Sequence, residues 1–153
     1  MSALELKVPP LALWAALAIA CGTVSWAAPS SCLPFAGQQV VAAILLFARA
    51  GIAIAGVAAF RRAGTTVNPL DPRKSDSMVT GGIYRLSRNP MYLGMAAALL
   101  GVAAWHASLP GVALVAAFCA YITRFQIVPE ERALRARFGE AFARYQAQVR
   151  RWI

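Results

Sequence analysis

Two long runs without a charged residue constrain the fold of this chain more than any other feature of its sequence. The first extends from Val8 to Ala48 and the second from Met91 to Thr123. Both exceed the length of an ordinary buried helix, and apolar stretches of this length are typical of helices that cross a membrane. Only 14% of the residues are charged, whereas roughly a quarter is usual in a soluble domain. The sequence therefore predicts an integral membrane protein.

Turn-forming residues divide each run in two. The first is interrupted from Pro29 to Gln39 and the second from His106 to Gly111. As one helix, the second run would rise about 50 Å, well beyond a hydrocarbon core of roughly 30 Å. We therefore predict a single all-α integral membrane domain with four transmembrane helices and C-terminal cytoplasmic amphipathic helices. The spans cover about 9–28, 40–60, 91–106 and 109–128, the cytoplasmic loop covers 61–90, and the C-terminal helices cover 129–153.

The positive charges lie on one side of these spans. Lys and Arg near the ends of spans tend to stay cytoplasmic, which predicts a multi-pass protein with both termini in the cytoplasm. A cleavable signal peptide is the alternative interpretation of the first span, but its removal would leave three spans and break the charge pattern. The basic residues outside the spans or near their ends are Lys7, Arg61, Arg62, Arg73, Lys74, Arg85, Arg88, Arg124, Arg132, Arg135, Arg137, Arg144, Arg150 and Arg151.

Composition also argues against two classes of function. The net charge of +9 follows the topology, and anionic lipid headgroups explain it more simply than nucleic acid does. Cys21 and Cys119 fall in predicted spans, Cys32 falls in an outer loop, and the sole histidine, His106, lies opposite most polar residues. This is not the spacing of metal ligands, so we expect no metal. From the charge distribution we expect membrane lipids as partners and no nucleic acid.

The octet "SRNPMYLG", from Ser87 to Gly94, follows the pair Gly81 and Gly82. The glycines suit either a turn or the close approach of a ligand. Asn89 can cap a helix whose first turn holds Pro90, and Tyr92 and Arg88 can then lie at the membrane interface. By itself, the octet is explained by a helix that enters a membrane.

A second polar segment, "PEERALRARFGEAFARYQAQVRRWI", follows the fourth predicted span. Pro129, Glu130 and Glu131 suit a helix start, and Gly139 suits the end of one helix and the beginning of another. Apolar residues recur every three or four positions, as in an amphipathic helix at an interface. They are Leu134, Phe138, Phe142, Tyr145, Val149 and Trp152. An anchor of this kind leaves the two glutamates unexplained, because anionic headgroups would repel them.

Arg49 falls near the middle of the second predicted span, and no acidic residue occurs in any predicted span. Ionisable groups inside a membrane are costly and by default suggest a functional site. Arg49 either bonds to helix carbonyls and water or holds an anionic ligand, such as a lipid headgroup or a substrate carboxylate.

These motifs, in this order, resemble the integral-membrane isoprenylcysteine carboxyl methyltransferases and their relatives, the phospholipid N-methyltransferases. The resemblance covers about residues 79–153. The family's Arg-His-Pro-x-Tyr motif looks like Arg88, Asn89, Pro90 and Tyr92, with Asn89 in place of the histidine. The other matching positions are Gly82, Tyr84, Arg85, Glu130, Glu131, Phe138, Gly139, Phe142 and Tyr145.

The resemblance implies methyl transfer from S-adenosylmethionine on the cytoplasmic face to a small or lipid-like acceptor. A carboxylate or thiolate acceptor is favoured because no histidine or cysteine is placed as a base. The alternatives are N-methylation of a phospholipid amine, a non-catalytic lipid-binding protein, and a solute transporter. The predicted catalytic residues are Arg88, Glu131 and Arg49. The predicted cofactor-binding residues are Gly81, Gly82, Tyr84, Arg88, Asn89, Pro90, Tyr92, Gly94, Glu130, Glu131 and Tyr145.

Overall fold

The computed structural model describes residues 5–62 and 78–153, and in these ranges the chain is helical without a β-strand. The loop residues Arg73 and Lys74, which contribute to the predicted charge asymmetry, lie outside the described residues. An isolated antiparallel bridge pairs Cys32 with Ser108. The helices are α1 (Pro10–Ala27), α2 (Gln38–Arg62), α3 (Pro90–Trp105), α4 (Leu109–Ile122) and α5 (Val128–Gln148).

Three helices of the described part are long and apolar enough to cross a membrane: α1, α2 and the continuous helix Leu109–Gln148. The fourth predicted span corresponds to the first part of that continuous helix. The third corresponds to α3, which is apolar but has only 16 residues and rises about 24 Å. Four spans therefore remain a prediction, and the all-helical fold is confirmed.

Helix boundaries follow the predicted signals. Prolines occupy the first turns of α1, α3 and α4, where a missing backbone N–H leaves no bond unmade. The Ser108 side chain accepts a hydrogen bond from the Gly111 amide and caps α4. Gly139 has φ +49° and ψ −123° and kinks α5, which confirms the predicted break between two helices.

α3 is the central helix of the bundle, because it packs against α1, α2 and α4. Leu99, Phe118, Ile122 and Ile127 are fully buried and form the main core. The predicted apolar stripe of α5 forms a second core instead of an open lipid-facing surface. Its buried members are Phe142, Tyr145 and Val149, packed with Met78, Leu134 and Phe138.

A π-helical turn, Thr123–Ile127, joins α4 to α5. The N-terminal segment contacts this turn, since the Leu6 amide donates to the Phe125 carbonyl at 3.0 Å and Gln126 Nε2 donates to the Val8 carbonyl at 2.7 Å. At this end of the bundle α1 and α3 begin and α2 ends. We name it the basic end, after Lys7, Arg61, Arg62 and Arg88.

Candidate functional site

Arg88, Glu131 and Arg151 form a half-buried ion-pair network at the basic end. Arg88 Nη2 donates to Glu131 Oε1 at 2.8 Å, and Arg151 donates to both carboxylate oxygens at 3.0 and 2.7 Å. The side chains of Arg88 and Glu131 are 11% and 13% exposed. Burial would by itself raise the pKa of Glu131, but the hydrogen bonds from Arg151 and Arg88 outweigh it and hold that pKa below its usual value. Glu131 is therefore an ionised group that fixes two guanidinium groups.

The last turn of α5 and the segment after it hold Arg88 from the other side. Arg88 Nη1 donates to the carbonyls of Gln146 at 3.1 Å and Val149 at 2.6 Å, and the Arg88 amide donates to the Arg150 carbonyl at 3.0 Å. Among the buried side-chain nitrogen and oxygen atoms of residues 5–62 and 78–153, Arg88 Nε lacks a hydrogen-bond partner. A buried unsatisfied donor costs about 1–3 kcal/mol, so an acceptor at this atom would stabilise the protein.

Glu130 pairs with Tyr92 next to this network. The Tyr92 hydroxyl donates to Glu130 Oε1 at 2.7 Å. Burial, which outweighs the Tyr92 hydrogen bond, and the neighbouring Glu131 carboxylate raise the pKa of Glu130 to about 7. Consecutive glutamates thus have different chemistry: Glu131 stays ionised, whereas Glu130 can bind or release a proton near neutral pH.

Two further tyrosines complete the cluster. The Tyr145 hydroxyl donates to the Tyr84 carbonyl at 2.7 Å, and the Tyr84 ring meets Phe60 of α2 edge-on at 5.6 Å. Burial raises the pKa of Tyr84, and the nearby Tyr145 and Glu130 raise it further. Burial also raises the pKa of Tyr145, to about 12. Both hydroxyls therefore stay protonated, and the Tyr84 ring lies near Glu130.

Gly81 and Gly82 border a cavity of about 490 Å³ between α2 and the segment from Met78 to Ile83. Gly82 has φ +59°, a conformation that L side chains rarely adopt, and a Cβ there would lie 3.5 Å from the Ala59 Cβ. The backbone conformation thus accounts for Gly82. Gly81 has φ −92° and open space around its Cα.

Asn89 occupies the N-cap position of α3, but its side chain does not cap the helix. Its Nδ2 instead donates to the Arg151 carbonyl at 3.0 Å, and the neighbouring Ser87 hydroxyl donates to the same carbonyl at 3.4 Å. The predicted capping bond is therefore wrong: the bond from Nδ2 to the Arg151 carbonyl orients the amide, and its oxygen accepts no bond from the first turn of α3. Pro90 is buried in the first turn of α3 as predicted.

Arg49 and Gly94 lie apart from these contacts. The aliphatic part of the Arg49 side chain packs on α3 at Gly94. Its Cγ lies 3.8 Å from the position that a Cβ on Gly94 would occupy. Its guanidinium lies 5.6 Å from the centroid of the Trp14 ring. The structure thus brings Arg88 together with Glu131 and Tyr92 with Glu130, but does not bring Arg49 into contact with them. The catalytic role of Arg49 stays a prediction.

Arg151 and the carbonyls of residues 146–151 were not among the predicted site residues. Their contribution comes from a short extended segment after α5, whose path back to Arg88 leaves no periodic pattern in the sequence. The pair of charges at Arg150 and Arg151 was visible, but its position favoured an assignment to the membrane surface.

Comparison with known proteins bears on the same region. A family model described as phospholipid methyltransferase matches residues 38–141. This range includes Arg88, Tyr92, Glu130 and Glu131, but neither Tyr145 nor Arg151. An uncharacterized protein of Haemophilus influenzae (strain ATCC 51907 / DSM 11121 / KW20 / Rd) is 36% identical over 63 residues, which cover 41% of this chain and 100% of that protein. No solved structure matches this chain.

Proposed function

Because the chain belongs to the phospholipid methyltransferase family, whose members are membrane methyltransferases, we propose that it uses S-adenosylmethionine at the basic end of its helix bundle. Arg88 supports this proposal most directly. Its side chain is 11% exposed and anchored by Glu131, yet its Nε has no partner among the described residues. A carboxylate is the natural acceptor for such a donor.

The remaining residues of the cluster fit the other parts of this cofactor. Glu130 offers carboxylate oxygens to ribose hydroxyls, and the rings of Tyr84, Tyr92 and Tyr145 offer aromatic faces to adenine or to a sulfonium cation. Gly81, Gly82, Asn89 and Pro90 are proposed to shape the backbone of the pocket, whereas Gly94, also predicted from the sequence, faces Ile52 and Arg49 of α2. Bound there, S-adenosylmethionine would supply an activated methyl group.

Glu131 acts in this proposal as a positioning residue. Both of its oxygens accept bonds from Arg88 or Arg151, so neither is free for the ribose without breaking an ion pair. Its ionised form keeps the Arg88 guanidinium in place within a buried site. Glu130 is therefore the better candidate for direct contact with the cofactor.

The methyl acceptor is small or lipid-like, and its class depends on Glu130. An anionic acceptor, a carboxylate or a thiolate, needs no base, and the absence of a suitably placed histidine or cysteine favours it. A pKa of about 7 at Glu130 favours the second candidate, a phospholipid amine, because this carboxylate can take the proton that an amine must lose. The catalytic benefit in either case comes mainly from placing the acceptor in line with the methyl group.

We further propose that the site faces the cytoplasm. The basic end carries Lys7, Arg61, Arg62 and Arg88, and Lys and Arg are enriched in the cytoplasmic segments of membrane proteins. In this orientation the described segment before α1, the end of α2 and α5 all lie on the cytoplasmic side.

Titration calorimetry with S-adenosylmethionine, in detergent and in lipid nanodiscs, tests the proposal. The unmodified protein should bind the cofactor. Arg88→Ala should weaken binding by about 1.5 to 3 kcal/mol, the value of a charged hydrogen bond, which corresponds to roughly 10- to 150-fold in Kd.

Arg144→Ala is the matched control, since Arg144 is an exposed arginine of α5 and its removal lowers the net charge equally. Thermal unfolding of each variant separates lost binding from lost folding, and Arg88→Lys provides a milder change at the same position. Absence of binding by the unmodified protein in both media would contradict the proposed function. Unchanged binding in Arg88→Ala would contradict only the role of Arg88.

A further inference from the structure

Arg49 has no anionic partner in the described part of the chain, although it lies within an apolar helix. Its neighbours along α2 from Leu46 to Gly51 are exposed, as Arg49 is. None of the acidic residues falls in a predicted span. The acidic residues are Glu5, Asp71, Asp76, Glu130, Glu131 and Glu140.

The surroundings of Arg49 hold its guanidinium in a defined place. Its stem packs against α3 where Gly94 provides room. The guanidinium lies 5.6 Å from the centroid of the Trp14 ring, a favourable distance for a cation over an aromatic face. Trp14 is itself fixed, since its Nε1 donates to the Met95 carbonyl at 3.0 Å. Three helices therefore contribute to one cationic position.

Arg49 lies closer to the basic end of the bundle than its place near the middle of α2 suggests. Trp14 is four residues into α1 and Gly94 is four residues into α3, which places both about 6 Å inside the basic end. α2 extends beyond the starts of α1 and α3, and this extension is why Arg49 falls near the middle of the helix. One turn below the end of the bundle, a long arginine side chain can reach the level of lipid phosphates.

This position is also separate from the Tyr92–Glu130 pair. Gly94 follows Tyr92 by two residues, which corresponds to about 200° around a helix. Tyr92 points toward Glu130, whereas Gly94 points toward α2. Arg49 therefore lies on the flank of α3 opposite the candidate methyl-transfer site.

We propose that Arg49 and Trp14 form a binding site for the phosphate of an anionic phospholipid. Guanidinium groups match phosphate oxygens with two parallel hydrogen bonds. The adjoining surface of α2 offers exposed apolar side chains to an acyl chain, with Leu46 44% and Phe47 78% exposed. The lipid supplies the negative charge that the described residues do not, and the site stands independently of the proposed methyl transfer.

Native mass spectrometry of the purified full chain, with added phosphatidylglycerol or phosphatidylcholine, measures this binding. We expect phosphatidylglycerol to bind preferentially. Arg49→Gln should weaken its binding about tenfold, Arg49→Lys should have an intermediate effect because a lysine lacks the planar fork, and Arg144→Gln should have little effect. Trp14→Phe, which keeps an aromatic face, should retain most of the binding.

Two results would overturn the proposal. One is equal retention of phosphatidylglycerol by Arg49→Gln and the unmodified protein, both measured on folded protein. The other is displacement of the lipid by millimolar inorganic phosphate, which would show that the site takes free phosphate. If Arg49→Gln does not fold, the comparison of Arg49→Lys with Arg144→Gln decides the matter by the same criterion.

Discussion

Glu130 and Glu131 are adjacent in the chain, but the structure gives their carboxyl groups opposite electrostatic environments. Two guanidinium groups neutralise Glu131, whereas Glu130 is buried against a neutral hydroxyl. A helix projects consecutive side chains about 100° apart, so a single pair of residues can face an ionic network and a less polar pocket. A fixed charge and a titratable group thus stand side by side at the site.

The pH dependence of methyl transfer should distinguish the two acceptor classes. The pKa of Glu130 is raised to about 7, so its base form becomes available as the pH rises through 7. With an amine acceptor, we expect the rate to increase across this range and Glu130→Gln to lower it about 10²- to 10⁴-fold, the usual value of a general base.

With an anionic acceptor, the same variant should keep most of its rate and show no step near pH 7. Initial rates with radiolabelled S-adenosylmethionine between pH 5.5 and 8.5, at saturating cofactor, measure both cases. Glu140→Gln is the control, because Glu140 is an exposed carboxylate of the same helix. A step near pH 7 that persists in Glu130→Gln would exclude Glu130 as its source.

The role of Asn89 could be predicted from the sequence only in part. The resemblance identified it as a departure from the family's histidine, and its preference for caps suggested a role at the start of α3. The structure uses the side-chain amide to hold the Arg151 carbonyl. That acceptor lies 62 residues away along the chain, and no local preference encodes such a pairing.

At the level of helices, the ends were predictable because they depend on local chemistry. Prolines in first turns, polar breaks and the glycine in α5 all gave signals within a few residues. The π turn at Thr123–Ile127 gave none. It contacts the N-terminal segment and Trp152, whose Nε1 donates to Thr123 Oγ1 at 3.2 Å, and contacts between distant segments leave no local signal in the sequence.

The backbone conformation at the kink in α5 leads to a prediction about thermal stability. Gly139 has φ +49° and ψ −123°, which an L residue adopts only at a cost of about 1 to 3 kcal/mol. Gly139→Ala should therefore lower the midpoint of thermal unfolding, although a Cβ there meets nothing within 4 Å.

Gly51→Ala is the matched control for that experiment. A Cβ on Gly51 also meets nothing within 4 Å, but this glycine lies in the regular part of α2, where alanine is favoured by up to about 1 kcal/mol. The midpoint should stay level or rise. Equal midpoints for both variants in detergent would show that backbone conformation at Gly139 does not limit stability.

For the molecule as a whole, the described segment before α1, the end of α2 and the segment after α5 lie at the basic end, and the turns near Cys32 and Ser108 meet at the other. An even number of spans follows from this arrangement if α3 crosses the membrane in spite of its length. A helix of about 24 Å can do so where the bilayer thins around it. Single cysteines in a variant free of other cysteines test this topology.

We expect Ser30→Cys to react with a membrane-impermeant maleimide in intact cells, since Ser30 is exposed in the outer turn. Glu140→Cys should react only after the membrane is permeabilised. Reaction of Glu140→Cys in intact cells would place the candidate site outside the cytoplasm, and reaction of both would indicate an odd number of crossings.

The π turn determines the direction in which the side chains of α5 point relative to those of α4. A π turn closes with one more residue than an α turn, and in a continuous α-helix one residue corresponds to about 100° of rotation. The extra residue is absorbed within Thr123–Ile127, so the residues after it keep their angular relation to α4. A chain with one residue fewer in this turn would close it as ordinary α-helix and still direct Glu130 toward Tyr92, whereas a deletion after the turn, between Val128 and Glu130, would rotate that carboxylate by about 100°.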